Sequence, residues 1–210
     1  MALTLKEKAY HEMKRMILDG TYKPSDFLTE RALVELLGMS RTPIRSALER
    51  LDVEGIINYI PNKGLVIAEM SIERAVDIYD YRAALESHIV KRLASRGLPQ
   101  QETAWLEANL AEQLACAEAQ DSAGFTEADA RFHARLTEIY GNKEMILAME
   151  QLQDKLYQIA MKVLRKDGSR IRVSYEDHLK LYEAIRKGDA QEAEQLLLDH
   201  LEFGKRILVS

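Results

Sequence analysis

Between residues 29 and 67 the spacing of apolar and polar positions changes character twice. Thr29-Glu30-Arg31-Ala32-Leu33-Val34-Glu35-Leu36-Leu37 reads as a Thr cap and a two-turn helix, with Gly38 where a left-handed residue is wanted. Only Met39 and Ser40 remain for a turn. Ile44, Ala47, Leu48 and Leu51 then recur at i, i+3, i+4, i+7 and predict a second amphipathic helix. Ser40 is placed to cap it through its hydroxyl, and Pro43 falls in the first turn, where its missing N–H breaks no helical bond. Gly55 stops this helix. Ile56-Ile57-Asn58-Tyr59-Ile60, the turn Pro61-Asn62-Lys63-Gly64 and Leu65-Val66-Ile67 then predict a β-hairpin with a basic tip. Upstream, residues 4–19 read as a further helix. Thr4 and Glu7 have capping-box spacing, Leu5, Ala9, Met13, Met16 and Ile17 form an apolar stripe, Gly20 is the stop, and residues 22–26 are a loop.

Helix, helix and hairpin together predict a winged helix-turn-helix. Arg41 and Arg45 lie four residues apart near the N-terminus of the second motif helix, the end that a recognition helix presents to base edges. Arginine suits this task because its fork donates two hydrogen bonds to guanine O6 and N7. A solvated helix with merely exposed arginines fits the helical pattern alone, but it leaves the short turn and the hairpin without a purpose.

After Glu69-Met70-Ser71 only helical periodicity remains, so the chain is expected to divide into a winged domain (1–69) and an all-helical domain (70–210). Six helices are predicted in the second, over about 72–96, 100–119, 121–140, 143–165, 170–187 and 190–208. Their turns are short, which favours antiparallel packing. In the first of the six, Ala75, Ile78, Tyr79, Leu85, Ile89 and Leu93 are the apolar candidates. The short linker leaves little slack between the two parts. The fold class is therefore mainly α.

Composition adds limits. The 210 residues are 47% hydrophobic and 7% aromatic, and the single Cys116 excludes an internal disulfide and fits a reducing cytoplasm. The N-terminus does not read as a signal peptide, and no run is long enough to span a membrane. The net charge of −5 is unusual for a DNA binder. Residues 1–70 hold ten Lys/Arg and ten Asp/Glu, so the deficit lies in the second part. Nonspecific DNA affinity should then be modest, and binding should rest on a few arginines present in two copies.

The candidate chemistry of the helical part is a carboxylate and three imidazoles. Asp129 and His133 share a helix face at i, i+4, and His178 and His200 sit among apolar positions on two later helices. Helical bundles build metal sites from such sets. Spacing does not show that the helices converge, and hydrogen-bonded core or surface histidines are the alternative. Arg82 interrupts a half-apolar helix, and a surface ion pair with Glu86 at i+4 is one account of it. His11 and His88 read as structural or surface residues.

The stretch LTERALVELLGMSRTPIRSALERLDVEGII…NKG resembles the N-terminal signature of the GntR family of bacterial transcription regulators, over about residues 9–67. The resemblance implies DNA contacts by Arg31, Ser40, Arg41, Thr42, Arg45, Lys63 and Gly64. Residues 72–210 are similar to the FCD ligand-binding domain of the FadR subfamily. The similarity rests on Asp129-x-x-Phe132-His133-x-x-Leu136, on Gly141-Asn142, on Glu176-Asp177-His178 and on His200-Leu201. Six helices point to the VanR-like branch. The likeness implies a divalent metal, Zn²⁺ foremost with Ni²⁺ or Mn²⁺ as alternatives, on Asp129, His133, His178 and His200. It also implies that Arg82 faces a cavity and holds an effector carboxylate. The expectation is a cytoplasmic homodimeric regulator, a repressor, that reads an inverted-repeat operator in double-stranded DNA and answers to a small organic acid, without membrane association and without enzymatic activity. One competing reading is a metal-dependent all-α hydrolase. HD-type phosphohydrolases need His-Asp in that order, whereas this chain has Asp177-His178 and Asp199-His200. Another is a metal-stabilised DNA-binding protein with no effector.

Overall fold

Local hydrogen bonds set most helix ends. In the computed structural model, which describes residues 3–18, 21–22, 26–68 and 70–210, helix α1 (Leu5–Leu18) opens on a reciprocal capping box. The Thr4 N–H donates to the Glu7 carboxylate at 2.7 Å, and the Glu7 N–H donates to Thr4 Oγ1 at 3.3 Å. Helix α2 (Glu30–Leu37) starts at Thr29, whose hydroxyl accepts from the Ala32 N–H, and ends at Gly38 with φ 62°. Helix α3 (Arg41–Val53) ends in a Schellman-type turn, in which the Gly55 N–H donates to Asp52 O at 2.9 Å and the Ile56 N–H to Leu51 O at 3.0 Å. The expected stop at Gly20, most of the 22–26 loop and Glu69 of the linker lie outside the described residues.

The chain separates into two compact units, Met1–Met70 and Ser71–Ser210. In the first, α1 and α2 pack on α3, and the hairpin of β2 (Ile57–Ile60) and β3 (Gly64–Ile67) closes the core. A third strand joins them. β1 (Phe27–Leu28) pairs antiparallel with β3, giving the order β1-β3-β2. At two residues it carries no alternation, so the pattern did not predict it. The core is apolar: Ala9, Tyr10, Met13, Leu33, Ile44, Leu48, Leu51, Ile57 and Leu65 are buried in it. Leu5 is a correction. It is 61% exposed, and Tyr10 takes its share of the α1 face, its hydroxyl donating to Glu54 at 2.7 Å while the Arg50 guanidinium lies over its ring.

The second unit contains α4 (Ile72–Arg96), α5 (Gln100–Glu118), α6 (Ser122–Tyr140), α7 (Lys143–Lys166), α8 (Arg170–Lys187) and α9 (Ala190–Val209), close to the expected spans. Side chains of Ser71, Asp121, Asn142 and Asp189 cap α4, α6, α7 and α9. α4 lies along α9, α5 against α6 and α8, and α6 against α7. On α4 the buried face carries Ala75, Ile78, Tyr79, Ile89, Val90 and Leu93, but also Arg82 and Glu86; Leu85, expected there, is only half-buried. Among the described residues no helix is long and apolar enough to cross a membrane.

Candidate DNA-contacting face and candidate metal centre

In the first unit, burial of Ile44, Ala47, Leu48 and Leu51 turns the start of α3 outward, so Ser40, Arg41 and Thr42 are exposed. Ser40 stands at the N-cap but its hydroxyl makes no capping bond, contrary to expectation. A cap oxygen accepts from the second or third helical N–H, and here the third residue is Pro43, which has none. Arg41 has no hydrogen-bond partner among the described residues, Arg31 pairs with Glu35 at 2.9 Å, and Lys63 is exposed. Arg45 is held. Its Nε donates to Glu30 at 2.9 Å and its Nη2 to Asn62 Oδ1 at 2.5 Å, which ties α3 to the hairpin turn. Glu30 also accepts from the Tyr59 hydroxyl at 2.6 Å and from the Asn62 N–H at 3.2 Å. The Tyr59 hydrogen bond is the main cause of a lowered Glu30 pKa, helped by Arg45 and Asn62 and opposed by burial. Burial, then Glu30, pushes Tyr59 up to about 12. Gly64 is buried at φ 138°, and a Cβ there would fall against the Leu28 carbonyl and the Phe27 ring. It serves the close approach of β1 to β3 and presents no side chain outward.

In the second unit, the four expected ligands converge. Asp129 and His133 from α6, His178 from α8 and His200 from α9 bring one donor atom each within 4.8 Å of all the others. His133 Nε2 is 3.2 Å from His178 Nε2, which is 3.3 Å from His200 Nε2 and 3.3 Å from Asp129 Oδ1. The other ring nitrogen of each imidazole is spoken for. His133 Nδ1 lies 2.5 Å from Glu86 Oε2, His178 Nδ1 2.7 Å from Gln113 Oε1, and His200 Nδ1 3.2 Å from Asp177 Oδ2. Gln113 cannot be flipped freely, because its Nε2 donates to Asn109 Oδ1 at 2.7 Å and Asn109 donates to Ala128 O at 3.0 Å. Arg170 Nη2 also lies 3.0 Å from His200 Nδ1, but the same nitrogen reaches His200 O at 3.0 Å. Donation to that carbonyl leaves Nδ1–H free to donate to Asp177, which is the consistent assignment.

This tautomer set leaves three bare Nε2 lone pairs facing one another beside a carboxylate oxygen. That is repulsive by itself and favourable around a cation. Bonds of about 2.0–2.1 Å to imidazole nitrogen place neighbouring ligands about 2.9–3.3 Å apart, so the three close spacings fit a first-row divalent ion. The 3.9 Å between His133 Nε2 and Asp129 Oδ1 is wider than a closed tetrahedron gives and suits an ion with further positions open. Burial, then the neighbouring charged groups, holds the His178 pKa well below its ordinary value. Burial lowers His200 to about 4, against the pull of its hydrogen bond to Asp177. Both therefore favour the neutral form that a ligand needs. Burial works against the Glu86 charge, yet Arg82 and His133 bring its pKa to about 2.

Arg82 and Glu86 do pair at i, i+4, at 2.5 Å, but inside the bundle and not on its surface. Arg82 also lines a cavity between α6 and α7 with Asp129, His133, Ala134, Met149 and Leu156, of about 590 Å³ including the part open to solvent. A second cavity on the α8–α9 side shares Arg82 and Asp129 and adds Tyr79, Arg170, Ser174 and His200. Glu86 as a His133 partner, Gln113, Asp177 and Arg170 went unrecognised in the sequence reading. Their signal was a polar residue at an apolar-stripe position. His88 bonds Tyr140 at 2.9 Å and His11 packs edge-on against Tyr10, as structural residues do.

Residues 77–203 match the FCD domain and residues 5–67 match the bacterial regulatory proteins of the gntR family. The chain belongs to the GntR family, with a C-terminal FCD domain. It is 31% identical over 188 residues to the Nta operon transcriptional regulator of Aminobacter aminovorans, covering 89% of this chain and 86% of that one. It is 26% identical over 199 residues to the HTH-type transcriptional repressor GlaR of Escherichia coli (strain K12), covering 91% and 90%. The fold is shared with E. coli McbR/YncC at a TM-score of 0.81 and 23% identity, over 99% of this chain and 98% of that one. This kinship is with transcription regulators and not with enzymes, so the hydrolase reading falls. GntR regulators bind DNA operators and typically form dimers, and FCD domains often bind a metal.

Proposed function

We propose that the protein is a homodimeric repressor in the cytoplasm whose operator binding is released by a small carboxylate bound at a metal centre in the helical unit. The observation that carries this reading is the convergence of three Nε2 lone pairs and Asp129 within 4.8 Å of one another, His178 Nε2 lying 3.2 Å from that of His133 and 3.3 Å from that of His200, with Glu86, Gln113 and Asp177 fixing the tautomers. Zn²⁺ is the favoured ion, with Ni²⁺ and Mn²⁺ as alternatives, because imidazole and carboxylate donors select weakly among them. Bound there, such an ion supplies a Lewis-acidic anchor for a carboxylate oxygen.

Arg82 is the second anchor. Its Nε is committed to Glu86, while its two terminal nitrogens make no hydrogen bond among the described residues and can take the carboxylate in a fork. The DNA face is Arg31, Ser40, Arg41, Thr42, Arg45 and Lys63, with Gly64 shaping the wing. Two copies related by a two-fold axis read an inverted repeat. The repressor sign is supported by the similarity to GlaR.

An effector can shift DNA binding only as far as it binds the two states unequally. A coupling of about 1–3 kcal/mol weakens operator binding roughly 5- to 150-fold, enough to release a repressor. The test is elemental analysis of the purified protein, then operator titrations with and without acetate, before and after chelation. One ion per chain and acetate-induced release that chelation abolishes support the reading. Release that ignores chelation reduces the metal to a structural staple. No ion, and none taken up from Zn²⁺, Ni²⁺ or Mn²⁺, would falsify the metal centre.

A further inference from the structure

We infer that the effector is a monocarboxylate with an apolar tail, its head on Arg82 and its tail between α6 and α7. This rests on the effector reading above and goes past it, since that reading sets only the acid group.

The first argument is charge. Around the centre lie two buried arginines, Arg82 and Arg170, and three carboxylates, Glu86, Asp129 and Asp177. With the imidazoles neutral as ligands, that set carries one negative charge. A divalent ion leaves one positive charge, and one carboxylate brings the buried site to neutrality. A second carboxylate would leave a net charge in a low-dielectric interior, which is costly.

The second argument is the lining. Outward from Arg82 the cavity is walled by Ala130, Ala134, Ile146, Met149, Leu156 and Ala160. Two threonines, Gln153 and Tyr157 also face it, and the threonine hydroxyl protons are already used. Thr126 Oγ1 donates to Ser122 O at 2.8 Å and Thr137 Oγ1 to His133 O at 3.1 Å. Helical backbone N–H groups on this wall are committed to the helix ladder. A chain bearing several hydroxyls would therefore lose its water and find few donors beyond Gln153 and Tyr157. At the solvent end of the same cavity stand the exposed Glu138 and Glu150, the former shared with Arg135 at 2.8 Å, which disfavours a distal acid. The cavity on the α8–α9 side differs. There the Tyr79 and Ser174 hydroxyls have no hydrogen-bond partner among the described residues, which suits water or one hydroxyl beside the head group and not an apolar tail.

The experiment is calorimetric titration of the full-length, metal-loaded protein with acetate, hexanoate, adipate and gluconate, the last three having equal carbon number. Each methylene removed from water is worth about a fourfold gain in affinity at most. Hexanoate should bind at least roughly tenfold tighter than acetate, adipate and gluconate no better than acetate. Ala134→Leu, which fills the tail space, should bring hexanoate back to the affinity of acetate and leave acetate unchanged. Equal binding of acetate and hexanoate, or tighter binding of adipate or gluconate, overturns this inference while the effector reading stands. If none of the four binds, the effector reading falls and this inference with it.

Discussion

The two units store their polar groups in opposite places. Eleven polar or charged residues are buried among the described residues, from Arg82 to His200, and every one belongs to the helical unit. The winged unit has a dry core and keeps its working charges on the rim, where Glu30 gathers Arg45, Tyr59 and Asn62. A surface that reads a polyanion needs cations in water, near a rigid edge, and gains from salt-dependent phosphate contacts. A chamber that recognises one small acid needs its charges desolvated and mutually satisfied before the ligand arrives. Among the described residues every fully buried side-chain nitrogen or oxygen has a partner, while the terminal nitrogens of Arg82, which line the cavity, are left open. The same residue pair type, Arg with Glu, thus does different work in the two units.

The sharpest way to break this contrast is to remove the carboxylate from each pair. Glu86→Ala leaves Arg82 buried and uncompensated and also strips His133 of its Nδ1 partner, so unfolding stability should fall by about 3–5 kcal/mol. Glu30→Ala leaves Arg45 free to turn into solvent and should cost much less. Chemical denaturation of both variants checks this. Equal losses would mean that burial does not separate the two pairs.

The next effect concerns the partners behind the ligands. Gln113 touches no candidate ion position, yet it holds the His178 tautomer through a 2.7 Å hydrogen bond. Gln113→Ala should weaken metal affinity roughly 10- to 100-fold, as loss of an outer partner does elsewhere. Competition with a chromophoric chelator reads the change. His178→Ala should remove the ion outright. Wild-type affinity in Gln113→Ala would show that Asn109 and Gln113 only pack.

Much of this was legible in the sequence, because helix ends and the wing are written in local chemistry. The Thr4–Glu7 box, the Thr29 cap, Gly38 and the turn at Gly55 each involve residues a few positions apart. Spacing put Asp129 and His133 on one helix face and set His178 and His200 among apolar positions, and the motif resemblance joined the four as one ligand set. What stayed hidden is contact between helices. His178 meets Gln113 from 65 residues away and His133 meets Glu86 from 47. Periodicity gives the face of one helix and not the partner of that face. On α4 the rule was available in outline, since Ala75, Ile78, Arg82, Glu86, Ile89 and Leu93 keep one stripe. Leu85 was assigned to it because leucine is apolar, so Glu86 was read only as a surface partner of Arg82 and not as a buried one. At Ser40 the reverse happened. A good capping residue was credited with a bond it does not make, and Pro43 removes one of the two N–H groups it would have used.

On the rim, the expected effects are fold-changes in DNA affinity. Arg41→Ala and Arg45→Ala should each weaken operator binding roughly 5- to 150-fold and relax preference at one base step. Lys63→Ala should weaken all sequences alike and lower the salt slope by about one. Arg41 has no hydrogen-bond partner among the described residues, whereas Arg45 is held by Glu30 and Asn62, so Glu30→Ala should reproduce part of the Arg45→Ala loss without touching DNA. Competition binding on a set of single-base operator variants separates these. An Arg41→Ala/Arg45→Ala double variant that folds and binds the operator as the wild type does would remove α3 from the interface.

The smallest effect tests the rim cluster by pH. The Glu30 pKa is lowered in the folded state, chiefly by the Tyr59 hydroxyl. Its contribution to stability is therefore complete above the ordinary carboxylate range and is lost as pH falls through the lowered folded value. Tyr59 is raised to about 12, so its contribution is complete below its ordinary value near 10 and fades as pH climbs toward 12. Glu30→Gln should melt below wild type at neutral pH, and the gap should close as pH drops through the carboxylate range, because the protonated glutamic acid and the amide are then alike in charge. Tyr59→Phe should lose its difference from wild type at the alkaline end instead. The cluster lies at the rim and is partly exposed, so both gaps should be small and should shrink with added salt. Melting curves of the three proteins, taken at low and high salt across that range, carry the test. Parallel curves for wild type and Glu30→Gln from neutral to acid would mean that the Glu30 charge does nothing for the wing, and that shape alone holds Arg45 in place.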